Sequence, residues 1–170
     1  MNPDRRLSIL MAAGLYLLPM SAALADGIRA MPRSVPSAYT EECGSCHLAY
    51  APGLLPAASW QRLMGGLDRH YGTDAAVDAT TAQSIVGWLQ AHAASGRRAA
   101  DTSPDDRITR SAWFTRKHRK VDPAVWPLAR VKSAANCAAC HPRAEQGRFS
   151  DDELRTPAGL SDQQRRAWHD

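Results

Sequence analysis

The sequence is poor in the features that would let a chain of 170 residues stand alone. It has four cysteines, and none is left over for a structural disulfide once the pattern described below is taken out. Aromatic residues make up 6% of the chain, with two phenylalanines among them, and no methionine follows Met64. Apolar runs are scarce. The one at Leu7 to Leu18 is shorter than the ~18 to 20 residues that a spanning helix needs, and no later stretch approaches that length. A membrane-embedded fold and a disulfide-stapled scaffold are therefore both excluded as readings. No internal repeat beyond one short motif is visible.

The apolar run follows Arg5 and Arg6 and precedes Ala23-Leu24-Ala25. A basic start, a short apolar core and a small-x-small site describe a cleavable secretory signal, so residues 1–25 are expected to direct export and be removed. The remaining 145 residues suffice for one ordinary domain or two very small ones. Beyond the leader, 19 basic and 16 acidic residues remain, unevenly spread. Residues 97–132 carry 10 basic and 4 acidic groups, while the flanking stretches are slightly acidic. No nucleic-acid-binding motif accompanies the basic stretch. Its charge suits docking to an acidic partner, neutralisation of carboxylates on a cofactor, or simple solvation.

All four cysteines fall in two copies of Cys-x-x-Cys-His: Cys43-Gly44-Ser45-Cys46-His47 and Cys137-Ala138-Ala139-Cys140-His141. This is the attachment pattern for c-type haem. Residues i and i+3 share a face of a helical turn, so two thiols at that spacing can reach the two vinyl groups of one porphyrin. The adjacent histidine then meets the iron. Cys43, Cys46 and His47 are assigned to a first haem and Cys137, Cys140 and His141 to a second. A redox disulfide or a four-cysteine zinc site would use the cysteines alone and give no reason for a histidine after each pair. Two covalently bound haems would also supply apolar mass that so small a chain lacks.

The pattern along the chain is mainly α. Ser37 is expected to cap a short helix ending at the first motif. Pro52-Gly53 reads as a turn, and Trp60, Leu63, Met64 and Leu67 predict a helix from about Ala57 to Leu67. Asp78 or Thr80 is placed to cap a third helix reaching Ala94, with Ile85, Trp88, Leu89 and His92 at helical spacing. Residues 26–96 thus form an expected N-terminal haem domain resembling a reduced class I cytochrome c. Residues 97–106 read as a linker, and 107–170 as a C-terminal haem domain. In that domain Trp113, Phe114, Lys117 and His118 share a short helix, and Asp122-Pro123 starts another. Ser133 is expected to cap the helix bearing the second motif, and Ser161 to start a final turn. Much of this half is expected to be irregular chain wrapped around its haem.

Each iron needs a second axial ligand or an open site, and that choice separates an electron carrier from a gas binder or peroxidase. His70, beyond the apolar face of the second helix, is the first candidate for the first haem. Met64 is its rival, and His92 is the weaker alternative, since a lone histidine on an apolar face is usually a packing residue. His118 is the candidate for the second haem, because the lack of any later methionine removes a local thioether. His169 lies in a polar tail. Histidine on both sides of each iron would favour low-spin centres with potentials below those of His/Met cytochromes.

The residues resemble the diheme cytochrome c family of proteobacteria. The resemblance runs through Glu42 to His47, Ala49-Tyr50-Ala51-Pro52-Gly53-Leu54-Leu55-Pro56, Ser59-Trp60 and His70-Tyr71-Gly72-Thr73-Asp74-Ala75. It resumes at Arg107-Ile108-Thr109, Trp113-Phe114, His118 and Asn136 to His141. It implies a periplasmic, non-enzymatic electron carrier with bis-histidine haems, using His70 and His118 as sixth ligands. It also implies redox partners: a membrane b-type cytochrome as donor and a small high-spin cytochrome c able to bind oxygen or nitric oxide. The competing readings are a diheme peroxidase, which must free one iron position, and a small diheme subunit of a periplasmic reductase.

Overall fold

A computed structural model of the protein describes residues 31–101 and 103–168. The expected leader and His169 lie outside the described residues. Within them the fold is helical, with short helices, 3-10 turns and no strand, and no helix is long and apolar enough to cross a membrane.

Helix α1 spans Ser37–Gly44. Its cap is Pro36 rather than Ser37, which is the first helical residue. Proline holds the entry backbone at φ −59°, and its carbonyl accepts from the amides of Tyr39 and Thr40, so a side-chain cap is not needed to start the helix. The helix delivers Cys43 in its last turn and buries Tyr39. Pro52–Leu54 forms a 3-10 turn. Helix α2, Ala57–Met64, begins after Pro56 and buries Ser59 and Trp60, whose indole N–H donates to the Pro52 carbonyl at 2.7 Å. It stops short of the expected Leu67 because Gly65 and Gly66 follow Met64, and two successive glycines make continued helix costly. A 3-10 turn at Leu67–Arg69 then places His70.

Helix α3, Ala79–Ala91, is capped by Asp78, which accepts from the amides of Thr80 and Thr81 at 3.0 Å. It ends three residues before the expected Ala94, at a frayed turn where His92 leaves helical geometry. Its Ile85 and Leu89 join Tyr39, Leu55 and Trp60 in a buried cluster, with Ile108 from further along the chain packed against it.

Residues 97–106, read as a linker, are tied on both sides. Arg62 of α2 grips the Asp106 carboxylate with two nitrogens, at 2.6 and 2.9 Å. The Tyr71 hydroxyl donates to the Asp105 carbonyl at 3.0 Å, and the Arg107 guanidinium lies 4.0 Å above the Tyr71 ring. In the other direction, Asp101 accepts from the amides of Ala112 and Trp113.

Helix α4, Ala112–Lys117, is capped by Ser111, whose hydroxyl accepts from the Phe114 amide at 3.0 Å. His118 closes it. As expected, Asp122 caps a turn with Pro123 at its first position, and Ser161 and Gln164 form a reciprocal capping box for α5, Asp162–Arg165. The second motif departs from expectation. Ser133 caps no helix; its hydroxyl accepts from Ala135 two residues on, and Cys137–Ala139 is a 3-10 turn. Local hydroxyl-to-backbone bonding of this kind competes with helix initiation. The cluster around this motif buries Val125, Val131 and Leu160, little apolar mass for a stretch of this length.

Candidate haem sites

In the first half, His47 follows α1 directly. Its Nδ1 donates to the Leu48 carbonyl at 2.7 Å, which fixes the tautomer and leaves Nε2 with its lone pair outward. His70 faces it from the turn after α2. The two ring centroids are 6.1 Å apart with planes inclined at 24°. His70 owes its place to an unusual bend: Tyr71 takes a left-handed φ of 51° and Gly72 one of 98°, closing a bridge from His70 to Thr73. The tyrosine tolerates this because its hydroxyl and ring are both held by residues 105 and 107.

In the second half, His118 and His141 have ring centroids 6.2 Å apart, with planes crossing at 81°. His118 Nδ1 donates to the Phe114 carbonyl at 2.9 Å, and the Phe114 ring stacks on it at 3.9 Å. Burial pushes the His70, His118 and His141 imidazoles below their ordinary range, His141 to about 4. A neutral imidazole is the form that binds a metal.

These separations test whether the residues suit an iron. With metal–nitrogen bonds of about 2 Å and a ring radius of about 1.1 Å, a metal gripped from both sides sets the two centroids roughly 6 Å apart. Both pairs meet that requirement. Each pair also contains one imidazole whose Nδ1 is buried without a partner, His70 in the first and His141 in the second. Among the described residues no three His, Cys, Asp or Glu side chains converge as a metal-binding group. None of the four cysteines is in a disulfide, which leaves each Cys-x-x-Cys pair available for thioether attachment.

The other candidates are placed elsewhere. Met64 packs against the first core. His92 is exposed, with its Nδ1 on the Trp88 carbonyl at 2.8 Å. Three aromatic neighbours were not singled out from the sequence: Tyr50, stacked 5.1 Å from His47, Trp126, 5.9 Å from His118, and Phe149, 5.3 Å from His141. Tyr50 and Phe149 lie within eight residues of a motif histidine, a proximity that would have flagged them.

Two attachment motifs, each with an imidazole pair at iron-spanning distance, define a multihaem c-type cytochrome. The family model for dihaem cytochrome c matches residues 39–149, and the chain belongs to that family, with two covalently bound c-type haems. Among solved structures, the diheme cytochrome c of Shewanella baltica OS155 is 35% identical with a TM-score of 0.63, covering 73% of this chain and 96% of its own. DHC purified from Rhodobacter sphaeroides is 40% identical with a TM-score of 0.58, covering 68% and 98%. No curated protein matches the chain. Dihaem cytochromes of this kind are electron carriers.

Proposed function

We propose that the protein is a periplasmic electron carrier, relaying electrons through two bis-histidine low-spin haems from a membrane donor to a soluble acceptor. The observation that carries this reading is the pair of imidazole separations, 6.1 Å for His47 and His70 and 6.2 Å for His118 and His141. Cys43, Cys46 and His47 hold the first haem with His70 as sixth ligand; Cys137, Cys140 and His141 hold the second with His118.

The haem iron supplies a one-electron ferric/ferrous couple. The chain's own residues keep that couple outer-sphere. The Leu48 and Phe114 carbonyls orient His47 and His118 and raise their basicity, and a second imidazole on each iron would leave no position for peroxide or gas. This separates the carrier from a peroxidase, which must open one site. Export is supported by the basic, apolar, small-residue leader. The basic stretch at residues 97–132 suits an acidic redox partner. The resemblance points to a membrane b-type cytochrome as donor and a small high-spin cytochrome c as acceptor.

Electron paramagnetic resonance of the oxidised holoprotein tests the ligation. Two low-spin irons are expected in the parent, with one signal replaced in His70→Met and the other in His118→Met. A high-spin ferric component in the parent, or carbon monoxide binding on reduction, would favour the enzyme.

A further inference from the structure

The two attachment sites sit in opposite charge surroundings. From Ser34 to Gln61, the stretch holding the first motif, there are two acidic residues, Glu41 and Glu42, both exposed, and no lysine or arginine. From Arg116 to Lys132, the stretch that carries His118 and leads into the second motif, there are six basic residues and one acid. Arg116, Lys117, Arg119, Lys120, Arg130 and Lys132 are all exposed, and among the described residues none of them meets a carboxylate. Two arginines just before them are already engaged, Arg107 on the Tyr71 ring and Arg110 on Asp105. The single acid, Asp122, accepts from the Ala124 amide as a cap. From another element Asp151 comes close enough to act on His118 and His141, and one carboxylate does not offset six cations. Lys132 takes a left-handed φ of 70°, with its amide and that of Val131 both on the Leu128 carbonyl, at 2.7 and 2.8 Å. That backbone is uncommon for a residue with a side chain. It is built onto Val131, which is buried in one cluster with Ala139, between the cysteines of the second motif, so the cationic turn is packed against the attachment site. Unpaired cations this close in sequence repel one another, and an anionic surface laid over them would relieve it.

We propose that this cationic face receives an acidic redox protein, so that the second haem exchanges electrons with that partner and the first does not. The inference rests on the relay reading above and deepens it by naming the site and the partner's chemistry. In the step concerned one electron leaves the second iron, which passes from ferrous to ferric, and reduces a one-electron centre of the partner; no proton or group moves. Attraction between opposite surfaces raises the encounter rate and fades with salt, since charges are screened beyond roughly 10 Å at 0.1 M. The acidic surroundings of the first motif repel the same partner.

The test titrates the dihaem holoprotein with poly-L-glutamate, standing in for an acidic surface, at low and high ionic strength, and reads the haem methyl resonances of each site. Expected are shifts confined to the second site and abolished by salt, with poly-L-lysine leaving that site unmoved. A Lys120→Glu/Arg130→Glu/Lys132→Glu variant should bind poly-L-glutamate roughly tenfold more weakly, with parental haem spectra before the addition. Arg33→Glu, at an exposed cation of the first half, should bind it as the parent does. Ferricyanide, an anionic one-electron oxidant, should oxidise the reduced triple variant several-fold more slowly than the parent at low ionic strength. Shifts at the first site, or parental binding and oxidation rates in the triple variant, would overturn the proposal and leave these cations a solvated face. Altered haem spectra in that variant before the addition would overturn it too, by tying the cations to the haem carboxylates. A parent without two low-spin irons would instead sink the relay reading.

Discussion

The imidazole planes of His118 and His141 cross at 81°, whereas those of His47 and His70 lie within 24° of each other. On the bis-histidine reading, bonding to a common metal would fix the separation of each pair but not the rotation between its rings, so the surroundings choose the angle. Phe114 stacks on His118 with planes 20° apart and accepts its Nδ1 proton, while Phe149 stands edge-on to His141. With an iron bound by each pair, parallel rings would donate π density into one d orbital and split it from its partner, whereas crossed rings would leave the two nearly degenerate. Two distinct low-spin resonances are expected in the oxidised protein, the more anisotropic belonging to the second site. His118→Met should replace that one. Loss of the less anisotropic signal in this variant would reverse the assignment.

Ser111 gives α4 its start and so sets where His118 stands. Its hydroxyl is buried and accepts from the Phe114 amide. Ser111→Ala should cost about 1 kcal/mol of stability, the usual worth of an N-cap, and loosen the segment from 112 to 118. Denaturant melts of the holoprotein followed at the second haem would measure it. An unchanged midpoint would mean that Asp101, which binds the next two amides, carries the helix start alone.

How much of this was legible beforehand depended on whether a signal was local. The Asp78, Asp122 and Ser161 caps and the burial of Ile85 and Leu89 on α3 follow from spacing and side-chain chemistry, and the structure places them so. Pairing of His70 with His47 across 23 residues was reachable because Met64 and His92 were the few rivals. The helix ends were less legible: Pro36 replaced Ser37 through backbone stereochemistry, and two glycines cut α2 short. That the Tyr50 hydroxyl donates to Ala135 could not be read at all, since this partner offers only a backbone carbonyl. Such acceptors carry no sequence signature.

The unequal cores predict unequal dependence on haem. The first half buries Tyr39, Leu54, Leu55, Trp60, Ile85 and Leu89, most of them large; the second buries Phe114, Val125, Val131, Ala144 and Leu160, most of them smaller. With so little apolar area of its own, the second half relies on the macrocycle for burial. Full-length Cys137→Ala/Cys140→Ala protein should lose amide protection through residues 112–168 while 37–92 keep theirs. The corresponding Cys43→Ala/Cys46→Ala protein should be less affected in its own half. Equal collapse of both halves in either variant would show that they fold as one unit.

The contact between Arg62 and Asp106 gives stability a pH signature. The Arg62 guanidinium, with help from the Ser59 hydroxyl, holds the Asp106 carboxyl below its ordinary range, against a smaller opposing effect of burial. The carboxylate side chain is 15% exposed and the guanidinium 56%, so solvent screens part of the attraction. A group whose folded value is depressed contributes stability that is complete above its unfolded value of about 3.9 and is lost as pH falls through the folded one. Asp106→Asn should therefore melt below the parent at neutral pH, with a gap that stays constant down to about pH 4.5. Below that the gap should close, as the parent's carboxylate takes up its proton and gives up the same interaction. Because Asp106 is anchored to α2 and sits two residues before Ile108, which packs on the first core, the variant should also loosen the turn holding Tyr71 and His70. Thermal melts of both proteins from pH 3 to 8 decide it: a gap that widened toward acid would mean that burial, not Arg62, governs this carboxylate.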